Sequence, residues 1–246
     1  MKSEKPVLLI NANNTNTSFA LANRKRILRV VKTPTAAIRK IPFTASQYNG
    51  VVLGSVVPAA TKKLLQLLIE RPLVVNAFIN LGIGVDYPHK RQIGADRLAN
   101  AVGVTRLYGA PAIVVDFGTA LTFDIVNARC EYVGGVIAPG LAAVTDYLYQ
   151  RTALLPRIKL SEPRSPVGKS TVAAMRIGAV VGYRGLVKEI LTALKRERGL
   201  RDATVVATGG YAHLMAKKIP GIERVNPLLT LEGLRFIYMR NFDESN

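Results

Sequence analysis

The chain has 246 residues, 49% of them hydrophobic, with 34 Lys and Arg against 16 Asp and Glu for a formal net charge of +18. That is enough apolar sequence for one large or two ordinary domains. It excludes a disordered composition and favours anionic partners. A single cysteine, Cys130, excludes an intrachain disulfide and a cysteine metal cluster, and the two histidines, His89 and His213, are too few for a histidine metal site alone.

Residues 1–6 lead straight into an apolar run rather than a signal peptide, and no later run is long enough to span a bilayer, so a cytoplasmic protein without a membrane partner is expected. Residues 7–33 read as a meander of two or three strands, carrying a basic cluster of Arg24, Lys25, Arg26, Arg29 and Lys32. A second basic cluster holds Lys195, Arg196, Arg198 and Arg201. Neither is interleaved with aromatics, so solvated basic faces are expected rather than nucleic-acid binding as the main task. Residues 51–57 read as a buried strand, Pro58 opens a helix, and 73–76 are a short strand. A loop over 82–92 precedes a helix from Gly94 to Val104, with Asp96 and Arg97 in its first turn, and Tyr108-Gly109-Ala110-Pro111 marks a domain boundary.

Beyond that boundary, residues 113–126 read as strand, tight turn, strand. Asp116 stands at the strand end, and Gly118 and Thr119 form a turn able to offer N–H and hydroxyl donors to an anion. The same apolar entry, polar turn and alternating exit occur at 7–21, with Asn11 corresponding to Asp116 and Asn13 to Gly118. Two such hairpins predict two related lobes, residues 1–110 and 111–246, each turning a phosphate-facing loop to a shared cleft. A third strand over 131–138 is broken by Pro139-Gly140 and followed by a helix to Tyr149. A proline-rich loop covers 156–170, and two helices, 171–179 and 183–198, follow it. A strand over 204–208 enters the Gly209-Gly210 turn and a helix over 211–218. A closing helix covers 229–241. Asp124 alternates onto a strand face and is read as a solvated acid. His213 is read as an ordinary helix residue. Gly168-Lys169-Ser170 is not a Walker loop, because the position five before Gly168 is Pro163 rather than glycine.

Five motifs in order resemble the type III pantothenate kinases: the Asp116 hairpin, Gly94-Ala95-Asp96-Arg97, the 134–140 strand Gly-Gly-Val-Ile-Ala-Pro-Gly, Gly168-Lys169-Ser170-Thr171, and Ala207-Thr208-Gly209-Gly210. The resemblance covers roughly residues 7–241. It implies an α/β chain of the actin-like ATPase (ribonuclease H-like) fold, two related lobes with a cleft between them, acting as a homodimer. The implied reaction is phosphorylation of pantothenate by ATP with Mg2+ and a monovalent cation, K+ or NH4+. By the same resemblance the first phosphate loop comprises Asn11, Ala12, Asn13, Asn14, Thr15, Asn16, Thr17 and Ser18. Thr119, Gly209 and Gly210 would also contact ATP. Tyr87, Gly94, Ala95, Asp96, Arg97 and Thr171 would meet pantothenate, with Asp96 as proton acceptor, and Asp116 would hold the monovalent cation.

On their own, some of these residues admit plainer roles. Asp96 also suits a helix N-terminus through the dipole, Arg97 either binds an anion or pairs with Asp96, and Asp116 also suits a turn. The first loop departs from the family's Asp-x-Gly-Asn-Thr. Asn11 keeps the shape of aspartate without its charge, and Asn13 tolerates a left-handed turn but adds a side chain where backbone approaches phosphate. A working kinase with a rearranged metal site and a ligand-binding or regulatory homologue, with or without nucleic acid, that does not turn over are therefore both open. A related phosphotransferase or phosphatase with another substrate fits the Tyr87 and Gly94–Arg97 pattern less well.

Overall fold

Branched apolar residues in β1 (Val7–Ala12) and small and aromatic ones in β2 (Asn16–Ala22) zip the first hairpin antiparallel, from Val7 opposite Ala22 to Ala12 opposite Thr17. The computed structural model describes residues 5–242. β3 (Ile27–Pro34) extends the meander, while β4 (Val51–Ser55) and β5 (Leu73–Val74) add parallel strands beyond β1, giving the order β3-β2-β1-β4-β5. Leu8, Ile10, Phe19, Leu21 and Leu53 cover one face with Ile38, Phe43 and Leu64, the last from α1 (Pro58–Leu67). Leu9 and Asn11 alternate onto the opposite face. After the two-residue strand β6 (Gly84–Val85), α2 (Ala95–Tyr108) begins at Gly94 and buries Leu98, Ala99, Ala101, Val102 and Val104.

The chain passes to a second unit between Gly109 and Ala110. There β7 (Ala112–Phe117) and β8 (Ala120–Val126) pair antiparallel, β9 (Glu131–Pro139) lies beside β8, and α3 (Leu141–Arg151) follows. The first residues of β9, through Gly134, belong to the first unit, where Glu131 and Tyr132 pair with β6. α4 (Thr171–Ile177) runs through a π-helical turn (Gly178–Gly182) into α5 (Tyr183–Arg196), so the two helices expected over 171–198 are one continuous stretch. β10 (Thr204–Thr208), α6 (Ala212–Ala216) and β11 (Arg224–Val225) complete a six-stranded sheet in the order β6-β9-β8-β7-β10-β11. The segment before α4 is fastened at Glu162. It accepts from Arg184 Nη1 at 3.1 Å and Lys218 Nζ at 2.8 Å, and these bonds bring its carboxyl down to about 2.

Apart from the added edge strand β6, the two sheets share one strand order, and the duplication extends to single positions. β2 and β8 follow the same burial sequence: exposed, buried, intermediate, then four buried residues. Asn11 and Asp116 are each the fifth residue of a six-residue strand. Asp124 corrects the sequence reading. It is fully buried, because β8 is covered on both faces over Phe123–Val126 rather than on one. Strands β6 and β11 escaped the sequence because two residues carry no periodicity.

The closing helix, α7 (Leu229–Phe242), is the main departure from the expected division at 110/111. It belongs to the first unit, together with residues 129–134, so the second lobe is not the unbroken stretch 111–246. The cause is its packing on α2. Gly233 lies so close to Ala99 that a Cβ would overlap the Ala99 carbonyl, and a Cβ on Gly103 would stand 2.7 Å from the Leu229 carbonyl oxygen. Gly233→Ala should therefore cost about 2 kcal/mol or more in chemical denaturation through overpacking. Gly185→Ala, on an exposed turn of α5 with nothing near its missing Cβ, should stabilise by about 0.5–1 kcal/mol.

Candidate active site

In the first unit, the β1–β2 turn is tied down by polar bonds rather than glycine. Asn13 N donates to Asn16 O at 3.1 Å, Thr35 N donates to Thr15 O at 3.0 Å, and the Thr35 hydroxyl donates to Asn13 O at 2.6 Å. Thr17, fully buried, bonds its hydroxyl to that of Thr35 at 3.0 Å. Asn14, Thr15 and Asn16 are exposed and can meet a ligand, Ser18 is half-buried, and Ala12 and Thr17 are buried and shape the loop from beneath. The side-chain oxygens of Asn11 and Asn13 are buried without a hydrogen-bond partner among the described residues. Two such carbonyl oxygens are acceptors in want of a donor or a cation.

Asn11 pairs with Gly54 of β4, and a Cβ on Gly54 would lie 3.8 Å from that of Ala95. The sheet thus delivers Asn11 to the face where α2 begins. Asp96 sits in the first turn of α2, its Oδ1 accepting from the Arg97 N–H at 2.8 Å. Burial raises the Asp96 carboxyl above its ordinary value of 3.8, against the lowering effects of the Arg97 N–H and the Arg97 charge. A carboxylate held partly dry, with a helix N–H bond and a cation nearby, is able to take a proton. Gly94 leaves it room, since a Cβ there would stand 2.5 Å from Asp96 Oδ1 and 3.2 Å from Val56 Cγ1.

Tyr87 and Arg97 meet on a residue the sequence reading did not single out. Tyr132 is fully buried, with the Arg97 guanidinium 5.7 Å from its ring centre and the Tyr87 ring 6.1 Å away. The backbone joins the same cluster, as Asp86 N donates to Tyr132 O at 3.0 Å. Gly134, at φ +130°, leaves space for the Tyr87 ring edge, 3.5 Å from where its Cβ would be. The available signal was the alternation that puts Tyr132 and Gly134 on one face of β9.

In the second unit the 118–119 turn is crowded by bare backbone. A Cβ on Gly140 would stand 2.9 Å from the Gly118 carbonyl oxygen, and one on Gly209 would strike the Asp116 carboxylate and the Phe117 backbone. Gly209 adopts φ +91°, and Tyr211 N donates to Phe117 O at 3.3 Å, binding the β10–α6 turn to the end of β7. Asp116, exposed Thr119 and Gly209-Gly210 are thereby brought to one place. Thr171 is the exposed first residue of α4, next to Ser170, whose hydroxyl accepts from Ala173 N at 3.2 Å. The described residues contain no cluster of three His, Cys, Asp or Glu. In the second unit the single Asp116 carboxylate fits a monovalent cation, and in the first the neutral amide oxygens of Asn11 and Asn13 fit a divalent ion carried in on phosphates.

Two units with one strand order, each with a hairpin turn at the end of its first strand, define a protein of the actin-like ATPase fold. The MreB 5 protein of Spiroplasma citri bound to AMPPNP shares that fold at a TM-score of 0.56 with 11% identity, over 99% of this chain and 100% of its own. The family profile described as Type III pantothenate kinase matches residues 7–193. A Type III pantothenate kinase of Akkermansia muciniphila is 49% identical over 233 residues, 93% of this chain and 96% of its own. One from Moorella thermoacetica is 47% identical over 199 residues, 79% and 78% of the two chains. The chain belongs to the type III pantothenate kinase family.

Substituting Gly94 by alanine should push the Asp96 carboxylate aside and lower kcat for a phosphoryl acceptor by about a hundredfold, the scale of a misplaced reacting group. Steady-state kinetics beside a thermal melt that moves by only a few degrees would check it.

Proposed function

We propose that the chain transfers the γ-phosphate of ATP to the primary hydroxyl of pantothenate, giving 4'-phosphopantothenate, the first step of coenzyme A synthesis, in the cytoplasm. The observation that carries the reading is the start of α2, where Asp96, between Gly94 and Arg97, is held partly dehydrated. Asp96 hydrogen-bonds the hydroxyl and takes its proton as that oxygen forms a bond to the γ-phosphorus and the bond from phosphorus to the departing ADP oxygen breaks. Tyr87, Arg97 and Thr171 position pantothenate. The loop of residues 11–18, Thr119, Gly209 and Gly210 position ATP, and Asp116 holds K+ or NH4+. Magnesium entering with ATP neutralises phosphate charge. Asn11 and Asn13 can serve it only as neutral oxygen acceptors, since the charge of the family's first-loop aspartate is absent.

A homodimer is part of this reading. Its support is the set of large apolar side chains exposed on the second unit, among them Ile137, Tyr147, Leu154 and Val181. A second reading, a homologue that binds ligand without turnover, is favoured by one observation, the uncharged and unpartnered oxygen of Asn11.

Coupled ADP release with ATP, magnesium, potassium and pantothenate separates the two. The expected result is pantothenate-dependent turnover in the native chain, an increase in Asn11→Asp through a stronger metal–phosphate site, and a loss of at least about a hundredfold in Asp96→Asn. Silence in both the native chain and Asn11→Asp would leave only the binding reading.

A further inference from the structure

Arg235, on α7, is 4% exposed. Its Nε donates to Glu232 Oε2 at 2.6 Å, and its Nη1 donates to the Arg24 carbonyl and contacts Met239 Sδ at 3.4 Å. Its third nitrogen, Nη2, has no hydrogen-bond partner among the described residues and is not sealed off. The two N–H groups of Nη2 on this otherwise buried guanidinium are open to an acceptor that enters beside it.

The guanidinium lines a cavity of about 60 Å³ whose wall also carries Lys5, Asn23, Arg24, Asn49 and Tyr238. The sequence explains how the cations converge. Val7 pairs with Ala22, so the residue before the first strand and the β2–β3 turn reach the same end of the sheet. Asn23 Oδ1 shapes that turn by accepting from Lys25 N at 2.9 Å and Arg26 N at 2.8 Å. Tyr238 closes the far wall, donating its hydroxyl to Asn49 O at 2.9 Å. Lys5, Arg24 and Arg235 bring positive charge to this wall, and the Glu232 carboxylate pairs with Arg235. The cavity lies at the opposite end of β1 from the Asn13 turn, so the basic cluster at 24–26 serves a place remote from the first loop.

We propose that this cavity is a binding site for a phosphate-class oxyanion, with Nη2 of Arg235 as the inner donor and Lys5 and Arg24 as the outer cations. The volume suits one tetrahedral anion and is far below the several hundred Å³ of a nucleotide pocket. A guanidinium edge offers paired N–H groups to such oxygens. The bound anion joins residue 5, the β2–β3 turn and α7, and through α7 it steadies α2. Inorganic phosphate and the phosphate group of a monoester share this chemistry.

The test is thermal denaturation of the full chain, saturated with a non-hydrolysable ATP analogue and magnesium so that the nucleotide site is filled. Inorganic phosphate, glycerol phosphate and potassium chloride are titrated at matched ionic strength. Ligand linkage predicts a saturable rise in Tm with phosphate or its monoester and none with chloride. The tighter of the two names the source. In the doubly substituted chain Lys5→Ala/Arg24→Ala, both changes on exposed side chains, the apparent Kd should weaken at least tenfold while turnover without phosphate stays unchanged. Equal shifts with chloride, or an unaltered Kd in the double variant, would overturn the proposal.

Discussion

Helices α2 and α7 meet backbone to backbone. Gly103 and Gly233 remove the side chains that would otherwise separate them, and Leu229, Leu234 and Ile237 fill the flanks. This contact draws the C-terminal helix back to the first unit and fixes the axis of α2 against the sheet. The N-terminus of α2 is where Gly94 opens space for the Asp96 carboxylate and where Ala95 faces Gly54 beside Asn11. The position of the Asp96 carboxylate is thus set by a helix crossing several turns away. Packed interiors transmit such constraints because they have little free volume to absorb them.

Duplication supplies the rest of the machinery, with one asymmetry. Two hairpins with matched register place a polar residue fifth in the first strand of each sheet, aspartate in one unit and asparagine in the other. A carboxylate at Asp116 can hold a cation by charge, whereas Asn11 offers only a dipole. Asp96, reached from Asn11 through Gly54 and Ala95, is raised by burial alone and not by a second carboxylate at position 11. A neutral residue at position 11 therefore holds a metal less firmly than a carboxylate would.

Much of this was legible in the sequence because it is local. Strand–turn–strand patterning at 7–21 and 113–126, the start of α2 and the glycine turn at 209–210 are each written in consecutive residues. The features that escaped depend on chain segments far apart. The return of 229–242 to the first unit rests on Gly233 meeting Ala99, which no local period encodes. Tyr132 was hidden in the same way. It reads as a strand aromatic until Val85 pairs with it and brings Tyr87 and Arg97 to its ring. Asp124 misled because alternation marks one face as polar, while a strand covered on both sides buries whatever stands there.

The central claim, that Asp96 is the proton acceptor of a pantothenate kinase, is tested most directly by the pH dependence of kcat/KM for pantothenate in the native chain and in Asp96→Asn. Burial raises the Asp96 carboxyl, and a base works only when ionised. The native rate should therefore climb with pH along a limb of unit slope whose midpoint lies above the ordinary 3.8. The residual rate of Asp96→Asn should lack that limb, which separates it from titration of the substrates. A limb that persists unchanged in Asp96→Asn, or a native rate flat across the same range, would contradict the account.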